Sequence, residues 1–209
     1  MIPAIVLAAG KSSRMGRPKA LLPIGDSGDT FLTHILKTLR DGGIERLVVV
    51  VGGYRDAVRA TLADDESLTV VDNPDFEQGQ LTSLLVGLAA AEALGDVDAV
   101  MMTLVDLPLI SPATVKAVLA ACRQSPRAPL VRPRRGTHHG HPVIFRRSLF
   151  GELRAADPTK GARPVVQAHR AEELSVDVTD EGAFADVDTQ EDYERLIRPT
   201  LRRVPEGPV

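Results

Sequence analysis

The first twenty residues, MIPAIVLAAGKSSRMGRPKA at 1–20, decide the fold. They begin with an apolar run, Ile2–Leu7, in which hydrophobic and polar residues do not alternate. Such a run is typical of a strand that is buried on both faces of a parallel sheet. The small residues at 8–10 follow at once, and small residues let the backbone approach a ligand closely. The stretch therefore predicts a first strand that leads into a ligand-binding loop.

Strands and helices alternate along the first 125 residues. Three further apolar runs predict strands at Arg46–Val51, Leu68–Val71 and Ala99–Leu104. Amphipathic segments predict the intervening helices, which we place at Phe31–Leu39, at Tyr54–Leu62, at Leu81–Leu94 and from the N-cap Ser111 to about Arg123. This alternation predicts an α/β fold with a single Rossmann-like, doubly wound, mostly parallel sheet, helices on both faces and right-handed crossovers.

The rest of the chain is less regular. Prolines and glycines are frequent between residues 125 and 146, where we predict a small β extension with a strand at Val143–Phe145. Further elements are expected as helices at Leu149–Ala156 and Ala162–His169, a strand at Leu174–Val178, and a final helix capped by Thr189 that runs through about Leu201. We therefore predict one domain over 1–201, with halves at 1–125 and 126–201, and a flexible tail at 202–209.

The composition is that of an ordinary globular protein, with 44% hydrophobic and 25% charged residues. The net charge of −3 and the aromatic content of 3% argue against a nucleic-acid binder. A single cysteine, Cys122, indicates a reducing compartment, and it lies on the predicted core stripe of its helix. The N-terminus lacks the basic region of a secretory signal, and no apolar run is long enough to span a membrane. We therefore predict a cytoplasmic protein.

The loop after the first strand fits neither of two standard phosphate motifs. The P-loop pattern requires glycine where Ile5 stands, and the dinucleotide fingerprint requires glycine where Ser12 stands. Successive backbone amides can nevertheless form an anion-binding nest, and Arg14 and Lys19 supply positive charge. Lys11 is a weaker candidate for the same role. The alternative is a solvated basic turn, and the spacing alone does not decide between them.

Two acidic positions could hold a divalent cation. Asp106 follows the strand at Ala99–Leu104, and a carboxylate at the carboxyl end of a strand suits Mg²⁺. Asp186 and Asp188 flank Val187, so in an extended chain their side chains point the same way. The alternatives are ordinary turn residues: Asp106 could cap the next helix, although Ser111 already suits that role, and Asp188 could support the helix that begins after Thr189.

A basic and histidine-rich segment follows residue 126. Its arginines are Arg127, Arg132, Arg134, Arg135, Arg146 and Arg147, and its histidines are His138, His139 and His141. The segment suits an anionic ligand, for which His141 and some of the arginines are candidates. A zinc site is a weaker alternative because the histidine spacing is not a strong metal pattern. An ordinary solvated loop is the other.

Several motifs together resemble nucleotidyltransferases of the molybdenum cofactor type, and in particular the cytidylyltransferase branch. The longest is Leu-Ala-Ala-Gly-x-Ser-x-Arg-Met-Gly-x-x-Lys at Leu7–Lys19. The other matches are Leu21-Leu22-Pro23, Asn73-Pro74 with Gly79 and Ser83, Asp106 in Leu-Val-Asp-Leu-Pro, Gly140-His141-Pro142, Gly161-Ala162-Arg163 and Asp186-Val187-Asp188-Thr189. Departures occur at Val105 and Leu107, where the branch has glycine and glutamine, and before Gly161, where a glycine is missing.

The resemblance implies a role for each matching residue. Arg14, Lys19 and Asp106 would be catalytic, with Mg²⁺ on Asp106 and Asp188. The nucleotide-binding residues would be Leu7, Ala8, Ala9, Gly10, Arg14, Lys19, Asn73, Gly79 and Ser83. His141 and Arg163 would bind the acceptor, so that 1–125 is the nucleotide-binding half and 126–201 the acceptor-binding half.

The resemblance also implies the substrates. The donor would be CTP, because guanine-specific relatives tend to have glycine where Ala9 stands, and the acceptor would be molybdopterin carrying molybdenum. A molybdoenzyme or its maturation chaperone is the implied protein partner. Three alternatives remain open: a nucleotidyltransferase that uses GTP or another phosphorylated acceptor (a sugar phosphate, a polyol phosphate or phospholactate), a glycosyltransferase that uses Asp186-Val187-Asp188, and a non-catalytic nucleotide-binding regulator.

Overall fold

A computed structural model describes residues 1–12 and 15–197 of the chain. In this part, eight strands and seven α-helices are present. The strands are β1 Ala4–Ala8, β2 Leu47–Val51, β3 Leu68–Asp72, β4 Ala99–Leu104, β5 Leu130–Arg135, β6 His138–His139, β7 Val143–Arg146 and β8 Leu174–Asp177. The helices are α1 Phe31–Asp41, α2 Arg55–Arg59, α3 Gln80–Glu92, α4 Pro112–Gln124, α5 Phe150–Ala155, α6 Arg163–Ala168 and α7 Gln190–Leu196.

All eight strands belong to one sheet, in the order β3-β2-β1-β4-β7-β5-β6, with β8 paired to β5. The pairs β3–β2, β2–β1 and β1–β4 are parallel, whereas β7 is antiparallel to both β4 and β5. The loops after β1, β2 and β4 therefore meet at one edge of the sheet. This confirms the predicted mostly parallel α/β sheet and places the loop that begins at Ala9 beside the turn that contains Asp106.

The sheet carries helices on both faces, as predicted. Alternate residues of β1 point to opposite sides, with Val6 in the core that packs against α1 and α4, and Ile5 in the core that packs against α3 and α5. Both side chains are fully buried. Cys122 lies in the first of these cores, as its position on the helix stripe predicted. A strand buried on both faces needs apolar residues at every position, which explains the uninterrupted run in the sequence.

The β extension is larger than the sequence predicted. β5 was not predicted because Pro129 and Pro133 flank or interrupt it, and proline is normally excluded from the interior of a sheet. The structure places Pro133 where β5 stops pairing with β7 and begins pairing with β6. At this change of partner the missing N–H costs little, and the Pro133 carbonyl accepts from Gly140 N at 3.0 Å.

One predicted helix is clearly shorter than expected, and the end of another is not tested. α2 ends at Arg59, and the amides of Thr61 and Leu62 bond to the carbonyls three residues before them, so the chain tightens into turns. α7 is described to Leu196, and the predicted continuation to Leu201 lies outside the described residues, as does the tail at 202–209. Among the described helices, none combines the length and apolar character needed to cross a membrane.

Candidate active site

A cavity of about 300 Å³ opens at the carboxyl edge of the sheet, between the loops that follow β1, β2 and β4. Eight of the predicted site residues line it, namely Leu7, Ala8, Ala9, Gly10, Lys19, Ser83, Asp106 and Asp188. The structure therefore brings together residues that are far apart in sequence. It also gives the cavity two unlike ends, one charged and one aromatic.

The loop after β1 anchors Lys19 at the charged end. Ser12 has a positive φ of 51°, which is uncommon for a residue with a side chain. Its hydroxyl oxygen accepts a hydrogen bond from the Lys19 amide at 2.9 Å, so the first residue of the turn at Lys19–Leu21 is held from within the loop. Arg14, the other predicted cation of this loop, lies outside the described residues.

The Lys19 ammonium lies between the two predicted metal ligands. Its Nζ is 2.6 Å from Asp188 Oδ1 and 3.4 Å from Asp106 Oδ2. The Lys19 side chain is only 11% exposed, and that of Asp106 is 26% exposed. Among the described residues, Asp106 Oδ1 is buried and has no hydrogen-bond partner, which is costly for a carboxylate oxygen unless a further group completes the site.

A third apolar cluster explains how Asp188 reaches a loop near the N-terminus. Val187 and Tyr193 pack with Leu22 and Phe31, and the rings of Phe31 and Tyr193 are stacked with centroids 6.0 Å apart. The Tyr193 hydroxyl donates to the Pro23 carbonyl at 2.9 Å. The Val187 amide also donates to the Asp106 carbonyl at 2.8 Å, which holds the backbones of the two acidic segments together.

The carboxylate that caps the helix after Asp188 is that of Asp192, and not that of Asp188. Thr189 is the N-cap of α7, and Asp192 completes a capping box with it. Asp192 Oδ2 also accepts from the Asp188 amide at 3.2 Å. In the same way, the N-cap of α4 is Ser111 and not Asp106. The capping roles that were alternatives for Asp106 and Asp188 are therefore filled by other residues.

At the acidic end of the cavity, the pKa values of two carboxyl groups are raised. Burial raises the pKa of Asp106, an effect that the nearby Lys19 charge opposes and that of Asp188 reinforces. Partial burial, followed by the charges of Asp106 and Asp188, also raises the pKa of Asp186. No group of three or more metal-ligating side chains occurs among the described residues. Two carboxylates together with phosphate oxygens are nevertheless a common donor set for Mg²⁺.

A buried hydrogen-bond network positions Ser83 in the cavity wall. The Asn73 amide nitrogen donates to Ser83 Oγ and to Thr82 Oγ1, both at 2.9 Å, and Asn73 is 2% exposed. Because Ser83 Oγ accepts from Asn73, its own hydrogen is available to another acceptor. Gly79 is the N-cap of α3 with φ of 127°, and a Cβ there would lie 2.8 Å from the Pro158 carbonyl oxygen. Asn73 and Gly79 therefore shape the site without being among the described residues that line it.

The aromatic end of the cavity was not predicted from the sequence. It is lined by Tyr54, Val58 and Phe76, and Tyr54 is 40% exposed. Gly52 brings this end close to the first loop, since a Cβ at residue 52 would lie 2.5 Å from the Ala9 carbonyl oxygen. The available signal was the Gly52-Gly53 turn after a buried strand, because such turns meet at the ligand-binding edge of parallel sheets.

His141 and Arg163 are not among the described residues that line the cavity. His141 lies on the segment that enters β7, where its amide donates to the Ala183 carbonyl at 2.9 Å. Its ring Nδ1 is buried and has no hydrogen-bond partner in the part of the chain that the structure describes. Burial lowers the pKa of His141 to about 4, so the ring is neutral at pH 7. Arg163 is exposed at the start of α6, three residues after the turn at Pro158–Lys160 that contacts α3.

The predicted arginine cluster is largely committed to structural contacts. Arg132 pairs with the buried Glu173 at 2.7 Å, and Arg146 donates to the carbonyls of Ala128 and Ser125 at 3.1 and 3.0 Å. The remaining pairs are Arg134 with Asp177, Arg135 with Glu181 and Arg147 with Asp96. His139 likewise contacts Glu173 at 3.0 Å. These contacts hold the β extension together, and the sequence did not show which carboxylates would neutralise the arginines.

Lys11 also has a local role. Its ammonium pairs with Glu77 and lies 5.9 Å from the centre of the Phe76 ring. The Lys11 side chain is 58% exposed, and it is not among the described residues that line the cavity. Of the two lysines in the first loop, Lys19 is therefore the one that contacts Asp106 and Asp188.

A family model described as the MobA-like NTP transferase domain matches residues 4–174. Nicotine blue oxidoreductase from Paenarthrobacter nicotinovorans is 32% identical over 203 residues, which cover 94% of this chain and 96% of that protein. A probable molybdenum cofactor guanylyltransferase from Rhodopirellula baltica is 38% identical over 122 residues, covering 58% of this chain and 56% of that protein.

Solved structures show the same similarity over nearly the whole chain. The crystal structure of Rv0371c from Mycobacterium tuberculosis H37Rv has a TM-score of 0.77 at 34% identity, covering 95% of this chain and 98% of that one. A crystal structure of the same protein in complex with manganese has a TM-score of 0.73 at 33% identity, covering 94% of this chain and 98% of that one.

Proposed function

Because the chain belongs to the family of MobA-like NTP transferase domains, a nucleotidyltransferase family, we propose that it transfers CMP from CTP to the phosphate of molybdopterin carrying molybdenum. An oxygen of the acceptor phosphate would attack the α-phosphorus of CTP. The bond from that phosphorus to the oxygen bridging to the β-phosphate would break, and pyrophosphate would leave. The main observation behind the proposal is that Lys19, Asp106 and Asp188 lie together at one end of the cavity. The small residues at 8–10 line the same cavity.

The charged end of the cavity suits the triphosphate. The backbone amide of Lys19 donates to the Ser12 hydroxyl oxygen, which fixes the position of this residue. Its ammonium can therefore neutralise the charge of the phosphates and of the leaving pyrophosphate. The residues at 8–10 present backbone amides without bulky side chains, which suits close approach of an anion. Such a reaction depends on positioning and charge neutralisation and requires no protein nucleophile.

We propose that Asp106 and Asp188 hold a divalent cation, Mg²⁺ by preference. The buried Oδ1 of Asp106, which no described residue contacts by a hydrogen bond, and the second carboxylate beside it fit an ion that prefers oxygen ligands. A bound divalent ion supplies neutralisation of phosphate charge and polarises the phosphorus under attack. The related Rv0371c was crystallised with manganese, which supports a divalent-cation site in this family.

The opposite end of the cavity suits the nucleoside. Ser83 presents a hydroxyl whose hydrogen is free to donate to a base carbonyl, because Asn73 already donates to its oxygen. The main-chain groups of Leu7 and Ala9 can read the edge of the base. The preference for cytosine rests on Ala9 and on the resemblance of the motifs. A GTP donor remains the alternative, supported by the guanylyltransferase relative.

The acceptor would bind beside the metal site, toward the β extension. β7 runs antiparallel to β4, so the segment at His141 lies near the end of β4 that leads to Asp106. We propose that His141 shapes this side and that the exposed Arg163 contacts an acceptor phosphate. A molybdoenzyme or its chaperone would then receive the product in the cytoplasm.

A pyrophosphate-release assay tests this function. CTP, GTP, ATP and UTP are each supplied with Mg²⁺, with and without molybdenum-bearing molybdopterin, and also with a sugar phosphate, a polyol phosphate and phospholactate. The proposal predicts release that requires molybdopterin and is fastest with CTP. Release with another acceptor would keep the chemistry and change the product. Nucleotide binding without release from any pair would favour a non-catalytic regulator.

An oxidoreductase is the second candidate, because nicotine blue oxidoreductase is similar over almost the whole chain. The loop after β1 argues against a classical dinucleotide cofactor site, since Ser12 replaces a glycine of the fingerprint. The test is to follow oxidation of NADH and NADPH with nicotine blue as the electron acceptor. Reduction of the dye that depends on this protein, without any pyrophosphate release, would favour this candidate over nucleotidyl transfer.

A further inference from the structure

The Lys19 ammonium occupies the position between the two carboxylates that would bind a divalent ion. Its Nζ is 2.6 Å from Asp188 Oδ1 and 3.4 Å from Asp106 Oδ2, so one positive charge already offsets part of the negative charge of these two carboxylates. An ion that bound the same two oxygens would lie within about 5 Å of Nζ, where like charges repel strongly in a partly buried site. Free metal and the ammonium in this position therefore compete for the same carboxylates.

A triphosphate removes this competition. The backbone of Lys19 is fixed by Ser12, whereas its four-carbon side chain can turn about several bonds. Phosphate oxygens in the same cavity offer the ammonium an alternative anionic partner. Once the ammonium has moved to them, the carboxylates can accept the metal without a neighbouring cation between them.

We propose that Lys19 is the resident counter-ion of this site, and that it makes metal binding conditional on the triphosphate. This inference rests on the proposed metal-dependent function. The species that the site binds tightly is thus the metal–nucleoside triphosphate complex, and the free ion binds weakly. By linkage, the metal and the triphosphate each raise the affinity for the other by the same factor.

Binding of Mn²⁺ alone tests the inference, with electron paramagnetic resonance used to count the free ion. The wild type, Lys19→Met, Lys19→Arg and Lys11→Met are compared without nucleotide at about pH 8, where protons compete least with the metal. We expect Lys19→Met to bind Mn²⁺ about tenfold more tightly than the wild type, a factor typical of coupled sites. Lys19→Arg keeps the charge and should bind as weakly as the wild type. Lys11→Met is the matched control from the same loop and should also leave Mn²⁺ binding unchanged.

The double variant Lys19→Met with Asp106→Asn assigns the gain to this site, because it should lose the tighter binding. Equal or weaker Mn²⁺ binding by Lys19→Met than by the wild type would overturn the inference, as would a gain that persists in the double variant. Lys19→Ala is a second charge-free variant should Lys19→Met fail to fold. The measurement uses no nucleotide, so an absence of pyrophosphate release would refute the proposed function without deciding this result.

Discussion

Asp106 combines burial, a neighbouring cation and an unpartnered oxygen, and each of these features has a consequence that can be measured. The carboxylate is partly shielded by the protein, and among the described residues the ammonium of Lys19 is its charged partner at 3.4 Å. Burying a charged oxygen without a hydrogen-bond partner costs free energy, and a bound ligand would offset that cost. A structural role and a functional role thus predict different outcomes when its charge is removed.

Replacing Asp106 by asparagine should remove activity and preserve the fold. The amide has the same shape but is a much poorer metal ligand, so we expect nucleotidyl transfer to fall by at least about 100-fold. The free energy of unfolding should change by no more than about 1 kcal/mol, because Lys19 keeps its contact with Asp188. Urea denaturation and pyrophosphate release measure the two quantities. Asp96→Asn is the control, because this exposed acidic residue precedes β4 whereas Asp106 follows it. Near-normal activity of Asp106→Asn would remove Asp106 from the metal site.

His141 should make the fold sensitive to mild acid. Its pKa is about 4 in the folded protein because burial disfavours the charged ring, and it is 6.5 as a free side chain. Between these values the unfolded chain binds the proton and the folded chain does not, so stability falls as the pH falls. The full difference corresponds to about 3 kcal/mol.

The variant His141→Gln isolates this contribution. We expect the wild type to lose about 2 to 3 kcal/mol more than the variant between pH 7 and about pH 4.5, as measured by urea denaturation. Carboxylates that titrate in the same range are present in both proteins, so they cancel in the comparison. The same pH dependence in both proteins would show that the His141 ring is accessible to protons in the fold.

At the residue level the sequence predicts identities better than contacts. The motif at Leu7–Lys19 and the acid after β4 are visible as residue types in a recognisable order, and eight predicted residues line one cavity. The pairing of Arg132 was not predictable, because its partner Glu173 lies 41 residues away, immediately before β8. Tyr54 was overlooked because a single aromatic residue in a turn carries no pattern of its own.

At the scale of elements, the helix α3 packs unusually close to the sheet. A Cβ at Gly87 would lie 2.5 Å from Ile5 Cγ2 and 2.9 Å from Val50 Cγ2. These neighbours lie on β1 and β2, the strands whose following loops form the cavity. A glycine in the middle of a helix weakens the helix by about 1 kcal/mol relative to alanine, so close packing is the physical reason for its presence here.

The substitution Gly87→Ala should therefore destabilise the fold despite the better helix propensity of alanine. Overpacking of this kind costs about 1 to 3 kcal/mol, and the gain in propensity offsets only part of it. Gly151→Ala in α5 is the matched control, because no atom lies within 4 Å of the added Cβ. The control should be neutral or slightly stabilising in urea denaturation. A Gly87→Ala protein as stable as the control would mean that α3 has room to move away from the sheet.

Elements with a clear hydrophobic pattern were predictable from the sequence, whereas elements that depend on tertiary contacts were not. β1, β2 and β4 are buried on both faces, and their continuous apolar runs indicate this burial. β5 contains Pro133, so local rules argued against a strand, and only the change of partner from β7 to β6 permits it. The observed helix ends differ from the predicted ends by a few residues where a turn, and not the end of the apolar stripe, terminates the helix.

At the scale of the whole molecule, the site depends on a contact between the two ends of the described chain. The cluster of Leu22, Phe31, Val187 and Tyr193 brings Asp188 to Lys19, although 169 residues separate them in sequence. The sequence alone indicated three separate motifs at one edge of a sheet. It could not show that the ammonium would lie between the carboxylates, because that depends on side-chain packing across this cluster.

The most direct test of the account follows the α-phosphorus of the donor. CTP radiolabelled at that atom is incubated with the protein, Mg²⁺ and molybdenum-bearing molybdopterin, and the products are separated by chromatography. Nucleotidyl transfer should place the label in a cytosine dinucleotide, with one dinucleotide formed for each pyrophosphate released, and Asp106→Asn should form at least about 100-fold less of it. Label that stays in CTP, or that appears only as free CMP in the presence of the acceptor, would contradict nucleotidyl transfer to this acceptor.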